Sequence, residues 1–441
     1  RITKDLIKDD HAWQRLATLC DTWGHRLSGS KSLEGAIDWA VATLKANGIA
    51  NARREDVDVP HWVRGAEDAT LMSPTITGKP VPLVMLGLGD SVGTPPEGIT
   101  AEVVVAHNDE EFRKLGDQVQ GRIVLFNNPM PAWTPDHGAC YGKTVKYRVA
   151  GATRVARRGG VGMLIRSVTA RSLRSPHTGM LRYKKQVAKI PAAALSTEDA
   201  DRIDRLIQSG KKVRVRLRMA AQRKAVSKSA NVVAEIKGRE LPEEIVIVSG
   251  HIDSWDVGQG AHDDGTGVIM AMETLLTLKR LGLQPRRTIR AVLWTNEENG
   301  MAGVRSYLKR HLKELPNHVA ALEADAGGFA PVSWGIAVKD PARQSRATQT
   351  LRAFLPMINT KAAPVGPMRV KPGSSAPDVG WFRRHGVPAL GLRTHGERYF
   401  DYHHTAADTV DKVDPGELGR AASAMATLAW HLAERRERLG D

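Results

Sequence analysis

From residue 231 to the end of the chain, short apolar runs alternate with longer stretches of helical periodicity. The strand candidates are NVVAEIKG, EIVIVSG, RTIRAVLWT, HVAALEAD and VPALGLR. Helical stretches separate them; one face of GVIMAMETLLTLKRLG is formed by Val268, Met272, Leu275 and Leu278. Apolar strands separated by helices are typical of a mostly parallel sheet covered by helices on both faces. The pattern therefore predicts an α/β fold.

The chain before this region divides into two further parts. Residues 1–95 contain a helix around Ile37 and Leu44, with Gly48 as a candidate for its C-terminal cap, and a strand-like segment near ARREDVDVPHWVRG. Between residues 96 and 222 the runs become short and β-rich, with one helical stretch, TVKYRVAGATRVARRGG. We expect a β-rich insert at 96–222 and the main body of the domain at 223–441.

Composition narrows the class of protein. The 441 residues are 41% hydrophobic, enough for a full core, and no apolar run reaches the roughly 18 residues of a membrane span. The net charge of +16 comes from scattered basic runs without interleaved aromatic residues, which argues against nucleic-acid binding and favours solvated basic faces. Cys20 and Cys140 could form one disulfide or remain two free thiols, and the sequence leaves both possibilities open. Because the chain starts at Arg1 without a signal segment, we expect a trimmed, secreted or periplasmic protein.

Candidate metal ligands follow four of the predicted strands. They are His251, Asp253, Asp256, Asp263 and Asp264 after EIVIVSG, Glu297 and Glu298 after RTIRAVLWT, Asp325 after HVAALEAD, and His403 and His404 after VPALGLR. Taken singly, an acid at such a position also fits a helix cap or a solvated turn, and Asp264 fits a cap well. In parallel sheets, however, these ends meet at one edge.

Carboxylates that converge at one edge repel each other unless a cation neutralises them. Imidazoles among the carboxylates indicate zinc or a similar metal. Two histidines and three or four carboxylates exceed the needs of one tetrahedral ion, and they suit two ions about 3.5–4 Å apart with a bridging carboxylate. The sequence therefore predicts two Zn²⁺ per chain.

Four strings in this order, GHIDSWDVGQGAHDDG, WTNEENG, EADAGG and YHHTAADT, resemble the co-catalytic di-zinc aminopeptidase family. The resemblance covers most of the chain, and the insert resembles a protease-associated domain. It implies that Glu297 is the general base and that the metals are held by His251 and Asp325, by Glu298 and His404, and by a bridging Asp263. Asp253, two residues beyond His251, is a candidate for fixing the tautomer of that imidazole.

The choice of His404 over His403 depends on the H-[ST]-x-x-D pattern of the family, which His404, Thr405 and Asp408 match. We expect His403 to be a packed or substrate-facing residue.

The resemblance implies hydrolysis of dipeptides or short peptides with a free N-terminus. Two alternatives stay open: an amidase or N-acyl-amino-acid hydrolase using the same metals, and a catalytically inactive, receptor-like binding protein, which should purify with little zinc. A substrate carboxylate has four candidate partners, Arg383, Arg384, Arg393 and Arg398. The sequence also leaves a homodimer open.

Overall fold

The computed structural model describes residues 1–8, 10–75, 78–359 and 365–441. Its helices, α1 to α11 in chain order, are Ile2–Lys8, His11–Trp23, Lys31–Ala46, Asp109–Lys114, Tyr141–Ala156, Thr197–Gln208, Thr266–Arg280, Ala302–Arg310, Pro341–Ile358, Tyr399–Tyr402 and Pro415–Glu434. Its strands, β1 to β18, are Arg53–Val59, Trp62–Val63, Glu67–Ser73, Val81–Leu83, Met85–Gly87, Ile99–Ala106, Ile123–Phe126, Gly162–Arg166, Ala192–Leu195, Arg214–Met219, Gln222–Arg223, Ser227–Ile236, Leu241–His251, Arg287–Trp294, His318–Ala324, Pro331–Ala337, Arg369–Pro372 and Ala389–Thr394. These elements form two compact units.

Unit 1 comprises residues 1–59, 226–399 and 408–441. Its eight-stranded sheet has the order β1-β12-β14-β13-β15-β18-β16-β17. The central strands β14, β13, β15 and β18 are parallel, while β1, β12 and β16 pair with their inner neighbours antiparallel. The α/β fold with helices covering the sheet is confirmed; the sheet is mixed, with four parallel strands in the middle and a further parallel pair, β16 and β17, at one edge.

Helix α7 follows the central strand β13 and is buried almost all round. Val268, Met272, Leu275 and Leu278, predicted to share a face, are each 0% exposed, but so are residues on its other faces, because α7 contacts β13, β14, α2 and α11. A helix covered on every side carries apolar residues all round, which explains why its periodicity is weaker than that of a surface helix.

The predicted N-terminal helix is α3. Its first turn is capped by the Ser30 hydroxyl, which accepts a hydrogen bond from the Leu33 amide at 3.1 Å. Gly48 ends it as expected: it has φ +87° and its amide donates to the Lys45 carbonyl at 3.0 Å.

Unit 2 comprises residues 60–225 and 400–407. Its main sheet has the order β4-β3-β10-β6-β7-β8-β9-β5, with β6 to β9 parallel. The unit begins at Pro60 rather than at residue 96, because β3 and β4 belong to this sheet: β3 pairs with β10 and β4 with β3. Sequence patterning does not show which sheet a strand joins.

One histidine of unit 2 lies between two acids. The His107 ring contacts a Glu111 carboxylate oxygen through Nδ1 at 2.6 Å and an Asp204 oxygen through Nε2 at 2.7 Å. Burial alone would lower the pKa of His107, but the hydrogen bonds to Asp204 and Glu111 outweigh it and raise the pKa above its ordinary value. Protonated His107 thus connects the end of β6 to α6.

Both cysteines are free thiols: Cys20 is buried, and Cys140 is partly exposed. Burial raises the pKa of Cys20 to about 12, which keeps it protonated and unreactive. No helix in the described ranges combines the length and apolar character needed to cross a membrane.

Candidate metal centre

The predicted ligands of unit 1 lie at the carboxyl ends of three adjacent parallel strands. Strand β13 ends at His251, which is in register with Trp294 at the end of β14. Glu297 and Glu298 follow β14, and Asp325 directly follows β15. Parallel pairing therefore brings these segments to one edge of the sheet, as the sequence predicts.

Three of the predicted ligands form a compact cluster. Donor atoms of His251, Asp263 and Asp325 all lie within 4.8 Å of one another. Nε2 of His251 is 3.3 Å from an Asp263 oxygen and 3.6 Å from an Asp325 oxygen. These carboxylates raise the pKa of His251 well above its ordinary value, against the effect of burial. The cluster therefore favours a positive charge at its centre.

The tautomer of His251 is set by a backbone group. Its Nδ1 lies 2.9 Å from the Asp253 carbonyl oxygen, so Nδ1 carries the proton and donates it there. Nε2 then faces the two carboxylates, and a metal ion that displaces its proton could be coordinated there. Asp253 thus contacts His251 through its carbonyl; its carboxylate is farther away, at 3.8 Å.

The Asp253 carboxylate binds the segment after β14 instead. It is 0% exposed and accepts hydrogen bonds from the backbone amides of Glu297, at 3.0 Å, and Glu298, at 3.2 Å. One buried carboxylate thereby fixes the backbone of both the predicted base and a predicted ligand. The His251 side and the Glu298 side of the site are connected through this residue.

The turn Ala261–Gly265, which carries Asp263, is held by two further buried carboxylates. Asp408 accepts from the amides of His262 at 2.7 Å and Asp263 at 3.1 Å. Asp264 accepts from the Gly267 amide in the first turn of α7 and from the His251 amide, both at 3.0 Å. Asp264 therefore caps the start of α7, as predicted, and also attaches α7 to the end of β13.

A buried arginine stabilises the loop that connects His251 to this turn. Arg26 is 0% exposed. Its guanidinium donates four hydrogen bonds of 2.7–2.9 Å, to the carbonyls of Gly24, Ile252, Gln259 and Gly260. Nothing in the metal-ligand motifs indicates this residue, which lies far away in the sequence.

Glu297 lies among other acids. Burial raises its pKa well above the ordinary value, and the charges of Asp325, Glu298 and Asp253 raise it further. A raised pKa makes this carboxylate a stronger proton acceptor, which is what a general base requires. This property supports the predicted role of Glu297.

Two acids that sequence reasoning missed lie behind the cluster. Glu323, on β15, and Asp378 are both 0% exposed. Glu323 accepts from the Val379 amide at 2.8 Å, and burial together with the Asp325 charge raises the pKa of Glu323 to about 7. Burial and the nearby Glu323 also raise the pKa of Asp378. A charged residue inside an apolar strand, two positions before Asp325, was the available signal for Glu323.

The two candidate histidines lie in the 400–407 segment of unit 2. His404 has φ +62°, and its Nδ1 is 3.1 Å from the Thr178 carbonyl, so Nδ1 donates and Nε2 keeps its lone pair. The rings of His403 and His404 stack with centroids 3.6 Å apart. The carbonyl of His403 accepts from His177 Nδ1 at 2.8 Å. His404 is thus in the tautomer that a metal ligand needs.

The donors are of the types that zinc prefers. Imidazole nitrogens with the second ring nitrogen bonded to a carbonyl, accompanied by buried carboxylates, are characteristic of zinc sites. Burying so many acids without a cation would force several of them to stay protonated. The residues present therefore fit the predicted metal.

Comparison with known proteins defines the class. The sequence profile described as Peptidase family M28 matches residues 231–429. The chain belongs to this family, and the predicted peptidase class is confirmed.

The similarity extends beyond the family region. Carboxypeptidase Q of Bos taurus is 39% identical over 430 residues, which are 98% of this chain and 87% of that protein. A Peptidase M28 precursor from Shewanella amazonensis superposes with a TM-score of 0.91 at 34% identity, covering 99% of this chain and 96% of that one. BSAP, a zinc aminopeptidase from Bacillus subtilis, shares the fold at 16% identity, with a TM-score of 0.68 and coverages of 98% and 97%. The chain is thus similar to carboxypeptidase Q over nearly its whole length.

Proposed function

We propose that the protein is a two-zinc exopeptidase that hydrolyses dipeptides or short peptides with a free N-terminus. The observation that supports this most directly is the cluster of His251, Asp263 and Asp325, whose donor atoms lie within 4.8 Å of one another. A single imidazole with two carboxylates fills three positions of one ion. A carboxylate has two oxygens, so Asp263 could contribute to a neighbouring ion as well.

In this proposal His251 and Asp325 would hold the first zinc, Glu298 and His404 would hold the second, and Asp263 would serve both. Bound zinc would supply an acidified water and polarise the scissile carbonyl. Glu297 would act as the general base, taking up a proton at its carboxylate and returning it to the leaving amine. The Asp253 carboxylate keeps Glu297 in place by binding its amide.

The free N-terminus matters because an internal peptide bond has no amine to place near the metals. An N-acyl-amino-acid hydrolase would use the same residues but would not require a free amine. The substrate's N-terminal group therefore distinguishes the two activities.

The test is hydrolysis of a set of dipeptides, each offered unblocked and N-acetylated, with zinc measured in the purified protein. We expect about two zinc ions per chain and turnover of the unblocked dipeptides that a chelator abolishes. Preferential turnover of the acetylated forms would establish the amidase alternative. A protein that purifies without zinc and hydrolyses neither form would refute the proposal and favour the inactive binding protein.

Secretion to the periplasm or outside the cell, and a homodimer, stay predictions. Cell fractionation and the mass of the protein in solution test them.

A further inference from the structure

Four arginines are buried in the part of the chain that the structure describes: Arg26, Arg148, Arg287 and Arg290. Arg287 and Arg290 each pair with a carboxylate. Arg26 has no acid partner, but four carbonyl groups accept its hydrogen bonds. Arg148, on α5 of unit 2, pairs with no carboxylate of the described residues and donates to a single carbonyl, although it is only 6% exposed.

The hydrogen bonds of Arg148 are few. Nη2 donates to the Tyr141 hydroxyl at 2.7 Å, and Nη1 donates to the Thr178 carbonyl at a long 3.3 Å. Its Nε is buried and has no partner among the described residues. A guanidinium has five N–H donors, so most of its capacity is unused. A buried cation in this condition is costly unless an anion joins it.

The position of the guanidinium is well defined. Gly179 has φ +135°, and a Cβ there would lie 2.3 Å from Nη1 of Arg148, so only glycine leaves the necessary space. Nη1 lies 3.4 Å from Nδ1 of His404. Since Nδ1 already donates to the Thr178 carbonyl, this nitrogen has no lone pair to offer, and the contact with His404 satisfies none of the Arg148 donors. Arg148 is thus an unneutralised cation beside a residue that the proposed function assigns to zinc.

We propose that Arg148 binds the α-carboxylate of the substrate and makes the enzyme selective for dipeptides and other peptides whose C-terminus lies close to the scissile bond. The inference rests on the proposed function, which places the scissile bond near His404. A planar guanidinium matches a carboxylate with two parallel hydrogen bonds. In a dipeptide the carboxylate is one residue beyond the scissile carbonyl, so a cation next to a zinc ligand is within its reach.

Arg148 is not one of the four arginines that the sequence suggested as partners of a substrate carboxylate. Arg393 donates to the Ser375 carbonyl, and Arg384 stacks over Trp381 with 4.6 Å to the ring centroid. Arg148 is distinguished from Arg384 and Arg393 by burial without a counter-charge. No metal-ligand motif contains it, because it lies in the insert.

The test compares a dipeptide with the same dipeptide as its C-terminal amide. The wild-type enzyme should prefer the free carboxylate. Arg148→Met should lower kcat/KM for the free dipeptide about 10- to 100-fold, the value of a charged hydrogen-bonded contact, and change the amide less than about threefold. Arg148→Lys, which keeps the charge, should recover part of the loss. Zinc content should stay unchanged.

Arg154→Met is the matched control. Arg154 lies on the same helix and pairs with Asp109 at 2.7 Å, so its loss should leave the ratio of the two substrates unchanged. An equal fall for dipeptide and amide in Arg148→Met, or no preference of the wild type for the carboxylate, would overturn the inference while leaving the peptidase intact. A wild type that hydrolyses neither substrate would instead refute the proposed function.

Discussion

Replacing Arg26 by methionine tests whether one buried side chain holds the ligand-bearing loop. Methionine keeps much of the volume but removes the guanidinium, which leaves four carbonyl oxygens, two of them buried and two partly buried, without their donor. Each hydrogen bond from a charged donor contributes about 1.5–3 kcal/mol. Four such bonds set an upper limit of about 6–12 kcal/mol, and relaxation of the loop with entry of water should reduce the loss to about 4–6 kcal/mol.

The measurement is the free energy of unfolding from denaturant titration, followed by circular dichroism, together with zinc content. Arg26→Lys keeps the charge and has three donors, so it should lose about half as much. Arg420→Met is the control: its 3.8 Å contact with Glu417 lies on the surface, and its loss should change stability by less than about 0.5 kcal/mol. A loss under about 2 kcal/mol for Arg26→Met, with zinc retained, would refute the view that this residue supports the loop.

Four further predictions concern single residues. Glu297→Gln should lower turnover at least about 100-fold with zinc still bound, because it removes the base and keeps the shape; near-normal turnover would exclude Glu297 as the base. His404→Ala should reduce zinc toward one ion per chain and His403→Ala should not, as elemental analysis will show; the reverse result would exchange their roles. Asp263→Asn should weaken both zinc ions and abolish activity, and full zinc retention would exclude the bridge. His107→Asn should reduce stability at pH 6 and much less at pH 9, since a raised pKa stabilises the fold fully below about 6.5 and loses its effect as the pH passes the folded value; an equal effect at both values would refute the ionic contribution.

The strand ends, and the gathering of candidate ligands there, could be predicted because chemistry and pattern agree. Apolar runs such as EIVIVSG are long enough to define strands, and the charged residues that end them have no other reason to gather. Predicted ligands His251, Asp263 and Asp325 accordingly come together in unit 1. The backbone contacts around them could not be predicted in the same way, because hydrogen bonds from amides and carbonyls leave no trace in side-chain identity. The Asp253 carbonyl that orients His251 is one example.

Residues that support the site but lie far from it in the sequence could not be predicted from the sequence pattern either. Arg26 and Arg148 resemble any other basic residue in a chain of net charge +16, and only burial separates them from the surface. Asp264 illustrates the intermediate case. Its place before a helix indicated a cap with an expected cost of about 1 kcal/mol, but complete burial and the second bond, to the His251 amide, make its replacement more costly.

Unit 2 is assembled from two stretches of chain, 60–225 and the short segment 400–407. In a chimera between this protein and a relative, residues 60–225 therefore do not make up the whole of unit 2. A chimera that exchanges residues 60–225 alone would pair a donor's Thr178 region with the recipient's His404 loop. In that loop the His403 carbonyl accepts from His177, and the carbonyl and imidazole of His404 both bond to the backbone of Thr178. Both stretches have to be inherited together, so crossover points belong on either side of residues 400–407 as well.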